Sequence, residues 1–242
     1  MMQERETDSG WVGADPDDDL DAVLEAELES IPVGAPYVDT ALGPIVTGAL
    51  GPMLAAESVS VLLGDDPDGR DVALAELEDA YNSGIRSIGL VARTPAEAEE
   101  VYWLAQRTRL HVVPLHLQER DGVAVVVHEA GSAVWLDPHE PLAHATHLGA
   151  VEWVIVPCSL IAPGEWADLL TVLRDRGSGD RIVLTAGLED PEACIARGGA
   201  FGLGGVLERV PLRLMDAGWS AAAIRQLVVE HPATWVARTW GA

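Results

Sequence analysis

Between Met53 and Leu117 the chain alternates short apolar runs with amphipathic segments, and that alternation narrows its folds more than any other feature. Residues 53–59 read as a strand. Residues 71–83 read as a helix with Leu74, Leu77 and Tyr81 on one face, stopped by Gly84, and 86–92 as a second strand. Thr94-Pro95-Ala96-Glu97 is a capping box with proline at the first helical position, so a second helix opens there and runs to about Thr108. A third strand over 110–117 follows. Strand, helix, strand, helix, strand demands right-handed crossovers and a parallel sheet covered by helices. At 242 residues, one main α/β domain is expected.

The rhythm breaks in the middle. Val123–His128 and 133–136 read as short strands with only 129–132 between them, too little chain for a crossover helix, so a hairpin is open to them. Regular alternation then resumes with a helix over 142–148, a strand over 152–157, a helix over 163–176 with Trp166, Leu169, Leu170 and Leu173 in register, and a last strand over 181–185. Ahead of the first strand, 37–53 carries apolar runs punctuated by Gly43-Pro44 and Gly51-Pro52, as a small hairpin would. Residues 1–36 are acidic and poor in large apolar groups, except that Leu20, Val23, Leu24 and Leu28 share one helical face over 17–29. The expectation is a largely disordered tail around one short helix, with the folded domain spanning 37–242.

Charge excludes some partners. Acidic residues number 39 against 15 basic ones, for a formal charge of −24, so a polyphosphate backbone or an anionic membrane surface would be repelled. Neither nucleic acid nor membrane is expected as a partner. Two cysteines, Cys158 and Cys194, with no signal-peptide pattern or apolar span, fit a reduced cytoplasmic protein.

The stretch from Gly198 to Ala237 is the most ordered in its signals. Val206, Leu207, Val210 and Leu214 form one apolar stripe, Gly218 stops that helix, Ser220 caps the next, and Pro232 ends it. Gly198-Gly199, the run Pro211 to Ser220, and His231-Pro232-Ala233-Thr234-Trp235-Val236-Ala237 together resemble the closing segment of the phosphotriesterase-like branch of the amidohydrolase superfamily, with His231 in place of the usual asparagine. The resemblance extends over 38–117 and 142–237. It implies a (β/α)8 TIM-barrel-like fold of the amidohydrolase type, shortened or incomplete where that family places strands four to six.

The resemblance also implies a two-metal site at the C-terminal ends of the strands. Its His-x-His pair falls on Ala56 and Ser58, with Glu57 between them pointing to the opposite face, and its last aspartate falls on Gly187. The bridging carboxylated lysine cannot form, because the chain has no lysine. Loss of the metal site, and therefore no cofactor and no catalytic residue, is the expectation. The remaining histidines include His111, His116, His128, His139, His144 and His147. Val125-Val126-Val127-His128 resembles the family's strand-five histidine, and His116 lies late on strand three, so a relocated zinc or other divalent-metal site at His116 and His128 is the alternative. For His139, His144 and His147, which could share a surface metal, and for Cys158, placed where a nucleophile could sit, plainly structural roles are the expectation.

These features give two functional expectations. One is a non-catalytic phosphotriesterase-like protein acting as a binding or assembly subunit. The other is a metal-dependent hydrolase of esters, lactones or phosphotriesters. A barrel open in its middle would expose sheet edges, so a homo-oligomer or a complex with a full-length relative is expected, with Trp135 and Trp153 as candidate anchors.

Overall fold

The computed structural model describes residues 34–120, 123–128, 130–148 and 153–239. The expected helix over 17–29 lies outside these. The chain enters through an antiparallel hairpin, β1 (Pro36–Thr40) and β2 (Gly43–Val46). The barrel begins with β3 (Met53–Ser58), which passes directly into a short helix, α1 (Val59–Leu63). The strand expected over 53–59 thus ends one residue early, and its last apolar residue opens a helix that periodicity did not reveal. Then come α2 (Gly69–Asn82), β4 (Ser87–Ala92), α3 (Pro95–Ala105) and β5 (His111–Arg120). The capping box of α3 forms as written: Thr94 Oγ1 accepts from the Glu97 amide at 3.2 Å, with proline in the first turn.

The middle is rebuilt as a hairpin. β6 (Val123–His128) runs antiparallel to β5, and β7 (Gly131–Trp135) runs antiparallel to β6. Parallel pairing returns between β7 and β8, after α4 (Pro141–His147) and with β8 at Trp153–Pro157. α5 (Trp166–Leu173) leads to β9 (Ile182–Thr185), and α6 (Gly205–Asp216), α7 (Ala221–Arg225) and α8 (His231–Val236) close the chain before β10 (Arg238–Thr239) pairs with β1. Ser220 caps α7 as expected, accepting from the Ala223 amide at 3.2 Å.

The main sheet has seven strands in the order β3 to β9, curled into a nearly closed mixed barrel inside a helical layer. Strands four to six of an eight-stranded barrel are thus replaced by two, one of them reversed. No open sheet edge remains in the middle, because β6 and β7 are paired on both sides. The exposed edges on which the oligomer expectation rested are absent among the described residues.

Strand alternation divides the apolar residues into two layers. Met53, Val91, Val113, Val126, Ile155 and Val183 pack inside the barrel. Leu54, Ile88, Leu90, Val154, Val156 and Leu184 pack outward against helices. β8 and β9 are buried almost throughout, which is why they read as continuous apolar runs. α8 sits beneath the barrel: Trp235 and Val236 join the inner layer, and the His231 ring meets the Ile182 carbonyl at 2.8 Å.

The first and last strands, β3 and β9, are neighbours without a ladder between them. Side chains join them instead. Thr185 Oγ1 lies 2.5 Å from the Ala56 carbonyl and also meets the Glu57 carboxylate. β3 can reach across because it bulges: Leu54 pairs with Ile88 but Glu57 with Leu90, so Ala55 and Ala56 both lie opposite Gly89. A Cβ at residue 89 would lie 2.2 Å from the Ala55 carbonyl oxygen, so glycine there is what permits the bulge.

Candidate functional site

At the C-terminal ends of the parallel strands the barrel opens into a cavity of about 780 Å3, a size typical of organic-ligand sites. Every barrel strand but β8 contributes to it, directly or through the residues just after it. Ser58 ends β3, Val91 and Arg93 lie at the end of β4, Leu117 is late on β5, Ala124 is at the start of the reversed β6, and Trp135 ends β7. Leu188 and Glu189 follow β9, and α4 covers one side with Ala143 and His144.

The polar groups at the rim are fixed locally. The turn after β7 is pinned by its own side chains: His144 Nδ1 accepts from the Asp137 amide at 2.8 Å, and Asp137 Oδ1 accepts from the His139 amide at 2.9 Å. In neutral His144 the proton therefore sits on Nε2. At the end of β4, the Arg93 amide donates to Glu97 Oε2 at 2.7 Å. The capping carboxylate is thus held against the backbone, and the Arg93 guanidinium has no hydrogen bond or ion pair among the described residues.

The side chains present do not fit the metal pair that the resemblance implies. Ala56 is fully buried in the inner layer and offers only a methyl group. Ser58 borders the cavity, but its hydroxyl is engaged with the Ser60 hydroxyl at 2.9 Å. Gly187 has φ of +67°, and a Cβ there would lie 2.4 Å from the Pro157 Cβ, so the backbone itself rejects an aspartate at that place. Asp137, His139, Glu140, His144 and Glu189 all border the cavity, yet among the described residues no three His, Cys, Asp or Glu side chains converge on a point that could hold a metal ion. The His147 side chain lies outside the described residues.

His116 and His128 are not brought together. His116 pairs with Val127, so His128, one residue further, projects from the other side of the sheet. His116 is exposed on the outer side, in register with Ala92. His128 is 7 % exposed, lies at the far end of the barrel from the cavity, and accepts from the Ala130 amide through Nδ1 at 3.2 Å. Reversal of β6 explains the outcome: a histidine ending a parallel strand would reach the mouth, whereas one ending this strand reaches the floor. Cys158 does not line the cavity. It is buried, its Sγ lies 3.6 Å from the Val156 carbonyl, and burial reinforced by nearby Glu57 pushes its thiol well above the ordinary range.

Glu57 faces away from the cavity, as its register with Leu90 requires. It is 1 % exposed and meets the Thr185 hydroxyl, the Ala186 amide at 2.5 Å and the Gly187 amide at 3.2 Å. Burial drives its carboxyl up to about 7, with those hydrogen bonds acting in the opposite direction. One Thr185 proton cannot serve both Ala56 and Glu57. The Thr185 hydroxyl donates to one of these two acceptors at a time.

The sequence drew attention to histidines at the mouth and to Trp135 only as an interface anchor, and passed over Arg93 and Asp137. Arg93 was nonetheless signalled by position, lying between the end of a strand and a capping box. Trp135 lines the cavity, and Trp153 packs on the inner layer, edge-on to His231 with ring centroids 6.5 Å apart. Both expected interface anchors thus have intramolecular roles.

No model of a known protein family matches the chain, and no curated protein does. Solved structures do. A resiniferatoxin-binding protein from Rhodobacter sphaeroides aligns over 83 % of this chain and 94 % of its own, with TM-score 0.57 and 15 % identity. An amidohydrolase from Mycoplasma synoviae aligns over 84 % and 92 % with TM-score 0.55 and 13 % identity, and a phosphotriesterase homology protein from Escherichia coli over 76 % and 98 % with TM-score 0.53 and 14 % identity. At such identities what is shared is architecture, and the chain folds as an α/β barrel of the kind seen in phosphotriesterase-like and amidohydrolase proteins.

Proposed function

We propose that the protein is a non-hydrolytic barrel that binds a small organic molecule at its mouth. One observation carries this reading: the cavity at the C-terminal face is intact, while the three positions that the family resemblance aligns with metal ligands are a buried methyl group, an engaged hydroxyl and a glycine that cannot accept a side chain. Function resides in such sites and not in the fold. One solved protein of this architecture is described by what it binds, resiniferatoxin, so binding is represented among the structural neighbours. Of the two roles expected for a non-catalytic chain, binding has a built cavity. Assembly has lost the open edges that motivated it.

The hydrolase reading built on His116 and His128 gains nothing from their placement on opposite faces of the sheet. The decisive experiment is elemental analysis of dialysed protein, paired with assays on a phosphotriester, an aryl ester and a lactone after loading with zinc, manganese or cobalt. Substoichiometric metal and no turnover are expected. About one metal per chain, with hydrolysis that tracks its content, would overturn the proposal.

A further inference from the structure

Resting on the binding reading, we infer that the mouth cavity selects a singly charged carboxylate with an apolar body, its head group held by Arg93. The wall supplies the body's environment: Val61, Val91, Leu117, Val123, Trp135 and Leu188 present apolar surface to the cavity. The head group follows from Arg93. In a chain with 39 acidic and 15 basic residues, Arg70, Arg109, Arg197, Arg225 and Arg238 are ion-paired, and Arg86, Arg107 and Arg209 donate to backbone carbonyls. Among the described residues the Arg93 guanidinium does neither, although Glu97 is four residues away, because the capping box holds Glu97 against the backbone. A planar guanidinium fork at the edge of an apolar cavity matches a carboxylate in two-point geometry. Asp137, Glu140 and Glu189 also border the space, so a second negative charge on the ligand would lie against like charges. Arg93 offsets a single negative charge, and a second finds no further cation at the rim among the described residues.

Four probes with the same body and different heads test this by titration calorimetry at fixed ionic strength: decanoate, decanol, decylamine and decyl phosphate. Decanoate should bind most tightly. Arg93→Gln should weaken decanoate by about tenfold or more, the loss expected for one charge-assisted pair, and leave decanol within about twofold. Leu117→Trp, which fills the cavity, should weaken all that bind. Decanol or decylamine binding as well as decanoate, tighter binding of decyl phosphate, or indifference to Arg93→Gln would overturn the Arg93 assignment while leaving a binding cavity in place. Indifference of all probes to Leu117→Trp would place binding elsewhere, and no binding of any probe would defeat both this inference and the reading on which it rests.

Discussion

At Glu57 two opposing effects act on one carboxyl group. Removal from water disfavours its charge and the donors from Thr185, Ala186 and Gly187 favour it, with burial the larger effect. Its folded pKa of about 7 lies above the ordinary value of 4.5, so the folded state keeps its proton where the unfolded chain has lost it. The stabilisation from this group is fully present below pH 4.5 and is lost as pH rises to about 7. A movement of that size corresponds to roughly 3 kcal/mol. Denaturant melts from pH 4.5 to 8 should therefore show a falling stability, and Glu57→Gln should flatten that fall. A wild-type profile that is level or rises across this range would contradict the assignment.

The reversed β6 is the element that most changes what the barrel can do. It sends Val123 and Ala124 to the mouth and His128 to the floor, and it pairs on both sides, so the sheet continues through the gap. Its inner face carries the packing: Val126 is fully buried in the inner layer, and Val126→Asp should cost about 3 kcal/mol or more in chemical denaturation. On the neighbouring strand His116 is exposed, and His116→Ala should change stability by less than about 0.5 kcal/mol. Much of this element level was legible in the sequence. The capping box at Thr94, the cap at Ser220, the stop at Gly218 and the hairpin at 123–136 are local signals, written within a few residues of where they act. Strand direction is not local. Whether His128 faces mouth or floor depends on which neighbour β6 pairs with and in which sense, and a run of three valines before a histidine reads the same either way. The Gly187 conformation and the Glu57 contacts were hidden for the same reason, since each depends on chain more than a hundred residues distant or on packing against Pro157.

For the molecule as a whole, closure of the middle removes the strongest reason to self-associate, and a formal charge of −24 opposes it further. The large apolar side chains left exposed among the described residues include Leu212 and Met215 on α6, and Tyr102 on α3. Light scattering at micromolar concentration and moderate salt should give the mass of one chain, 25.7 kDa. A stable dimer would direct attention to the α6 face, with Leu212→Ser as the variant to compare.

The seam between β3 and β9 also bears on the order in which the chain finds its fold. Contacts between consecutive strands close short loops, whereas the Thr185–Glu57 contact spans 128 residues and the Gly187–Glu57 contact spans 130. The entropy of bringing such ends together must be met before any reward from joining them. Here the reward is a handful of side-chain bonds and not a ladder, so the seam is expected to form last and open first, which native-state amide exchange at Ala186 and Gly187 checks. The barrel is thus a curled sheet whose two ends are joined by a few side-chain contacts centred on Glu57.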